Sequence, residues 1–219
     1  MADIGGRIHC LYYPTNHLLA SAFLRFQEHY ESPRFRGQVF TWEEFMDWYA
    51  ADRGEFTYLT DWCGFNVPDT AFNAFRRGDF DPLTVKERRL LDTVAGFEKP
   101  FYVVGVVNGA AKVLSHEFAH ALFYLDGAYR NQVRSTLLRH PLLEASRHLL
   151  KTQGYDESVL DDELNAYLLT GPCEGWPRTG MVSSRRSLRR LFVRTFGYRL
   201  WTPKGWEHAR QQCHMVQMG

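Results

Sequence analysis

Phe101-Tyr-Val-Val-Gly-Val-Val107 and the run that follows it, NGAAKVLSHEFAHALFYL over Asn108–Leu125, decide how this chain is read. The first run is apolar and β-branched, bounded by Pro100 and Asn108, and predicts a buried strand. The second is rich in Ala and Leu, holds no proline and no glycine beyond its first turn, and meets Asp126-Gly127 at its end, so it predicts a helix. Inside that helix stands His116-Glu117-Phe118-Ala119-His120. Residues i and i+4 share one helix face, a turn apart. Both imidazoles can then reach a single metal ion, with Glu117 beside the first. This is the H-E-x-x-H arrangement, in which two histidines hold zinc and the glutamate serves as general base. The preceding strand gives such a helix a rigid floor.

Catalytic zinc takes three protein ligands and leaves one position for water. No second histidine follows the motif closely; the next, His140, is in no ligand spacing. Glu157–Leu169 (ESVLDDELNAYLL) reads as a helix with Val159, Leu160, Leu164, Tyr167 and Leu168 as its buried stripe. Glu163 falls beside that stripe, and a buried carboxylate is costly unless paired or bound to metal. Glu163 is therefore the expected third ligand, with the adjacent Asp162 as the alternative. Tyr124 lies one turn after His120, and Tyr167 one turn after Glu163. Each is either a hydroxyl donor to a developing oxyanion, or to a ligand, or else a half-buried core aromatic. Asp126 reads as a helix-end turn residue.

His116, Glu117 and His120, followed by a helix carrying Glu163 in Glu-Leu-Asn-Ala-Tyr, resemble the gluzincin type of zinc metallopeptidase. The resemblance runs from the strand before the motif helix to Leu169, with more than forty residues between His120 and Glu163. It implies a compact zincin-like domain that uses Zn2+ to hydrolyse an amide bond in a restricted peptide or protein substrate. His116, His120 and Glu163 would be ligands, Glu117 the base, and Tyr124 and Tyr167 the candidate donors. Two rivals stand beside it. The same two histidines and carboxylate suit non-haem iron. A non-catalytic protein could instead act through its arginine-rich C-terminal segment.

That segment, residues 183–210, holds seven arginines and one lysine against one glutamate, a net +7, so the remainder carries −6 within an overall +1. It suits an acidic tail, a peptide carboxylate or RNA. Equally, Leu188, Leu191, Phe192 and Phe196 fall on one helical face, which makes the arginines its wet side. With so small an overall charge, no global field argues for a nucleic-acid partner, and none is expected. Cys10, Cys63, Cys173 and Cys213 show no C-x-x-C spacing and predict neither a structural zinc site nor a disulfide framework. With no export signal and no apolar run long enough for a membrane span, the expectation is a cytoplasmic protein without membrane contact.

At 219 residues the chain suits one domain, 1–219. Arg7–Tyr13 and Glu55–Thr60 read as further strands, and Asp61–Pro68 as a loop that either lines a substrate pocket or plugs the core. Thr15–Tyr30 reads as a helix; Thr41-Trp-Glu-Glu is a capping box opening another, to about Ala51. Short helices are expected from Asp69 to Arg77 and from Thr84 to Gly96. One long helix is expected over Tyr129–Gln153, bent near Pro141, and a Gly/Pro-rich turn over 171–180. Few strands among many helices make the class α+β, with a small sheet packed on the motif helix.

Overall fold

The structure is a computed structural model that describes residues 4–108, 110–171, 176 and 181–218. Four strands form one sheet in the order β2-β3-β1-β4. They are β1 (Ile8–Tyr13), β2 (Gly64–Pro68), β3 (Tyr102–Val107) and β4 (His214–Gln217). β1 runs parallel to both β3 and β4, while β2 is antiparallel to β3. The helices before β3 are α1 (Asn16–Glu31), α2 (Trp42–Arg53), α3 (Tyr58–Asp61), α4 (Asn73–Arg76) and α5 (Val85–Thr93). Those after it are α6 (Ala111–Leu125), α7 (Gly127–Leu138), α8 (Glu144–Thr152), α9 (Leu160–Thr170), α10 (Met181–Phe196) and α11 (Pro203–Gln212). The class is α+β, as the element pattern predicts.

The alternation of β1 explains the layering. Ile8, Cys10 and Tyr12 join the core that α6, α9 and α10 build on one face, with Phe118, Leu164 and Phe192 among its members. Leu11 and Tyr13 join the second core, where Phe23 and Phe26 of α1 pack. Successive strand residues point to opposite faces, so one strand feeds both cores. Gly105 of β3 makes the close approach of α1 possible: a Cβ there would run into Phe23 and Leu19.

Several expectations are corrected. Glu55–Thr60 is not a strand; Tyr58 opens α3, and its ring packs with Phe45 and Tyr49. The strand lies instead within the expected loop, as β2, where pairing with β3 outweighs the poor strand propensity of Gly, Asn and Pro. Pro68 is tolerated because it ends an edge strand. The single helix expected over 129–153 is two helices, α7 and α8. Pro141 removes an N–H, and His140 before it sits at φ −123°, ψ 70°, outside the helical region. β4 was not foreseen: it is four mostly exposed residues with no apolar alternation. Cys10 and Cys213 form a disulfide, contrary to the expectation from cysteine spacing, because β1 and the end of α11 meet through the sheet. Cysteine usage therefore gives no support to a reducing compartment. Most of the turn expected over 171–180 lies outside the described residues. No helix among the described residues is long and apolar enough to cross a membrane.

Candidate metal centre

α6 leaves β3 after a short turn and presents His116 and His120 on the face turned toward α9. Their Nε2 atoms lie 3.2 Å apart. Glu163 of α9 completes the group, with Oε2 3.9 Å from His116 Nε2 and Oε1 3.7 Å from His120 Nε2. A tetrahedral ion with ligand bonds of about 2.1 Å separates its donors by about 3.4 Å. The three donors stand near that spacing. Among the described residues this is the one group of His, Cys, Asp and Glu whose donor atoms, all within 4.8 Å of one another, lie close enough to hold one metal ion.

The other ring nitrogens are also held. His120 Nδ1 sits 2.9 Å from Asp162 Oδ1, and His116 Nδ1 sits 3.3 Å from Thr170 Oγ1. Thr170 donates its own proton to the Ala166 carbonyl at 2.8 Å, which leaves its oxygen to accept from the histidine. His116 Nδ1 thus faces a hydroxyl acceptor and His120 Nδ1 an ion-pair contact with a carboxylate, while both Nε2 atoms turn inward, the pattern that orients metal-binding histidines. Asp162, the alternative third ligand, orients His120 from outside the cluster. All three partners come from α9. Thr170 was missed in the sequence because a threonine bonding back to the i−4 carbonyl is ordinary in helices.

Glu117 is buried at the same end of α6. Its Oε2 accepts from Asn66 Nδ2 at 2.7 Å, and Asn66 Oδ1 accepts in turn from the Tyr102 hydroxyl. Gly64 lies against this carboxylate; a Cβ there would strike Glu117 and Val113. Asn66 and Gly64 belong to the segment read as a loop. That segment serves both expected roles, since Phe65 and Val67 enter the core while Cys63, Gly64 and Asn66 border the cleft. Cys63 is exposed and outside the ligand cluster.

The cleft has a volume of about 850 Å³ and reaches from the centre to the last turn of α1 and the aromatic side chains of α2. Tyr167 and Tyr155 line it; their hydroxyls are 3.2 Å apart, and the Tyr167 ring lies 4.6 Å from that of His116. Tyr124 does not border the cleft: its hydroxyl donates to Asp69 Oδ1 at 3.2 Å and its ring packs on Tyr102. Asp126 caps α7 through the Tyr129 N–H, the turn role expected of it. His208 packs against Tyr198, away from the centre.

Electrostatics favour a cation here. Burial pushes the Glu163 carboxyl up to about 8; His120 opposes the shift, while Asp162 and Glu117 add to it. Burial, together with Glu163, likewise holds Glu31 at about 8. Burial also raises Glu117. His116 is pushed well below the usual imidazole value by burial and by His120. Burial opposes the charge on His120 too, but Asp162 and Glu163 outweigh it and raise that ring. Glu163 Oε2 is buried with no hydrogen-bond partner. Crowded carboxylates, two inward nitrogens and an orphaned oxygen fit a divalent ion. No protein-family model matches this chain, and no curated protein or solved structure matches it either.

Proposed function

We propose that the protein is a metal-dependent hydrolase of the gluzincin type, with zinc held by His116, His120 and Glu163, that cleaves an amide bond in a peptide or protein. The observation that carries this reading is the paired orientation of the two imidazoles. Their Nε2 atoms converge on Glu163, while Asp162 and Thr170 hold their Nδ1 atoms. When bound, zinc supplies Lewis acidity and brings the pKa of water toward neutrality. Glu117 takes the proton from the attacking water and later delivers it to the leaving amine. Its burial-raised pKa suits a group that must both accept and release that proton. Asn66 fixes Oε2 of that carboxylate, leaving Oε1 for the proton. On the cleft wall Tyr167, with Tyr155 behind it, is the candidate donor to the developing oxyanion.

The test pairs metal analysis with Glu117→Gln. Stoichiometric zinc and hydrolysis of members of a peptide library are expected. In Glu117→Gln turnover should fall by about 10²–10⁴-fold with zinc content unchanged. Iron with oxygen-dependent turnover, or a Glu117→Gln variant as active as the parent, refutes the assignment.

A further inference from the structure

We infer that the arginine groove of α10 binds the sugar–phosphate backbone of a single-stranded nucleic acid. This goes beyond the hydrolase reading and does not depend on it. Arg185, Arg186, Arg189, Arg190 and Arg194 of α10, with Arg199 just beyond it, line one groove of about 610 Å³. Among the described residues no acidic side chain lines this groove, and none of the six arginines forms an ion pair. Arg185 Nε is buried with no hydrogen-bond partner among the described residues. Simple solvation of a helix face does not account for six like charges brought to one concavity, or for a desolvated guanidinium N–H.

The layout selects the ligand. Arg186, Arg190 and Arg194 are exposed and stand four residues apart, so they form a row about 12 Å long on the helix surface. Arg185 and Arg189 form a second row beside it. Charges converging on a point suit one phosphate; two parallel rows along an open groove suit a linear series of them. The guanidinium fork matches phosphate oxygens in pairs. Val182 and Val193 add apolar surface beside the charges, of the kind that sugars contact. Arg189 is the fixed member: its Cζ stacks 4.4 Å over the Trp201 ring, and Nε and Nη2 donate to the Leu169 carbonyl at 3.1 and 2.7 Å. The groove is thus a preformed surface tied to α9, with Arg186, Arg190, Arg194 and Arg199 as its exposed cations.

The probe is a short fluorescein-labelled single-stranded RNA, with DNA of the same sequence alongside, followed by anisotropy across a salt series. Dissociation constants of about 1–100 µM at physiological salt are expected. The slope of log K against log salt should be about −3, as follows from about 0.7 per phosphate for four contacts. The triple variant Arg186→Glu, Arg190→Glu, Arg194→Glu should bind at least about 10-fold more weakly, with a slope shallower by about 2. The triple Arg→Gln variant removes the same charges without adding repulsion and should weaken binding in the same direction; the triple Arg→Lys variant should keep most of the salt dependence. Unchanged circular dichroism and melting temperature show that these exposed substitutions leave the fold intact. Absence of binding at low salt, parental affinity in both charge-removing variants, or displacement of the oligonucleotide by poly-glutamate at equal charge concentration would each overturn the inference.

Discussion

Replacing Glu163 by Gln should change stability in opposite directions with and without metal. In chelator, the carboxylate is buried at 4 % exposure, with Oε2 unpartnered. A carboxyl raised from 4.5 to about 8 binds more protons folded than unfolded across that window, so metal-free stability declines as pH rises through it. The shift corresponds to an upper limit of about 5 kcal/mol at pH 8 and above. The shift is shared with His120, Asp162 and Glu117, so the part that Glu163→Gln relieves is closer to the cost of one buried unsatisfied group, about 1–3 kcal/mol. Each kcal/mol moves Tm by about 2–4 °C for a chain of this length. The metal-free variant should therefore melt higher than the metal-free parent, more so at pH 8.5 than at pH 6. Zinc at about 100 times its dissociation constant stabilises the parent by about 2.7 kcal/mol, or about 5–11 °C. The variant, short of one ligand, should gain far less, so the order of the two melting temperatures inverts. Calorimetry with chelator and with zinc at both pH values reads this directly. Equal zinc shifts in both proteins, or a variant that melts below the parent in chelator, would refute the assignment of Glu163 as a ligand.

Other outcomes follow from named contacts. Asp162→Asn should weaken zinc binding by about 10–100-fold, read with a competing chelator, because His120 loses the carboxylate on Nδ1. Arg25→Met should destabilise by about 3–5 kcal/mol in urea unfolding: it strands Glu87, which is fully buried and bonded to Arg25 at 2.6 and 2.7 Å. His9, stacked on Phe97 at 3.5 Å, is lowered to about 4 by burial and by His214. Its unfolded form takes up a proton between pH 6.5 and 4 while the folded form does not, so stability is lost as pH falls through that window, by at most about 3 kcal/mol. His9→Phe should flatten that arm of the pH–stability curve, and an unchanged slope would show that His9 is not its source.

The parts of the centre legible in the sequence are those written in a single helical period. The i, i+4 histidines of α6 and the apolar stripe of α9 need no tertiary knowledge, and they brought Glu163 to the right face. The capping box at Thr41 is equally local, and Glu44 closes it as expected. What stayed hidden depends on partners distant in the chain. Gly64–Pro68 is a poor strand by composition and becomes one only because β3 lies beside it, which is how Asn66 reaches Glu117. Glu28 and Glu31 sit in the last turns of α1, where acidic residues read as a wet surface. Only the fold brings them to the cleft wall beside Glu163. Tyr124 shows the converse: each four-residue step drifts about 40° around the helix, so Tyr124 lies about 80° round from His116, and its hydroxyl finds Asp69 instead.

The centre is a joint between two helices, and one of them supplies both outside contacts to the imidazoles. α9 contributes Glu163, Asp162 and Thr170, and it is fixed from behind by Arg189 of α10 and by the Tyr129 hydroxyl, which donates to Asn165 at 2.8 Å. A fold optimised for stability alone would place an apolar side chain at position 163, where the neighbours are core residues. Instead Glu31, Glu117, Asp162 and Glu163 interact electrostatically around the two imidazoles, with raised carboxyl pKa values at Glu31, Glu117 and Glu163. Local conflict inside an otherwise consistent core is expected where a site serves function at a cost in stability, and the proposed metal centre meets that expectation. A divalent cation would remove the conflict in one step: it satisfies the orphaned oxygen, uses both inward nitrogens and offsets the crowded negative charge.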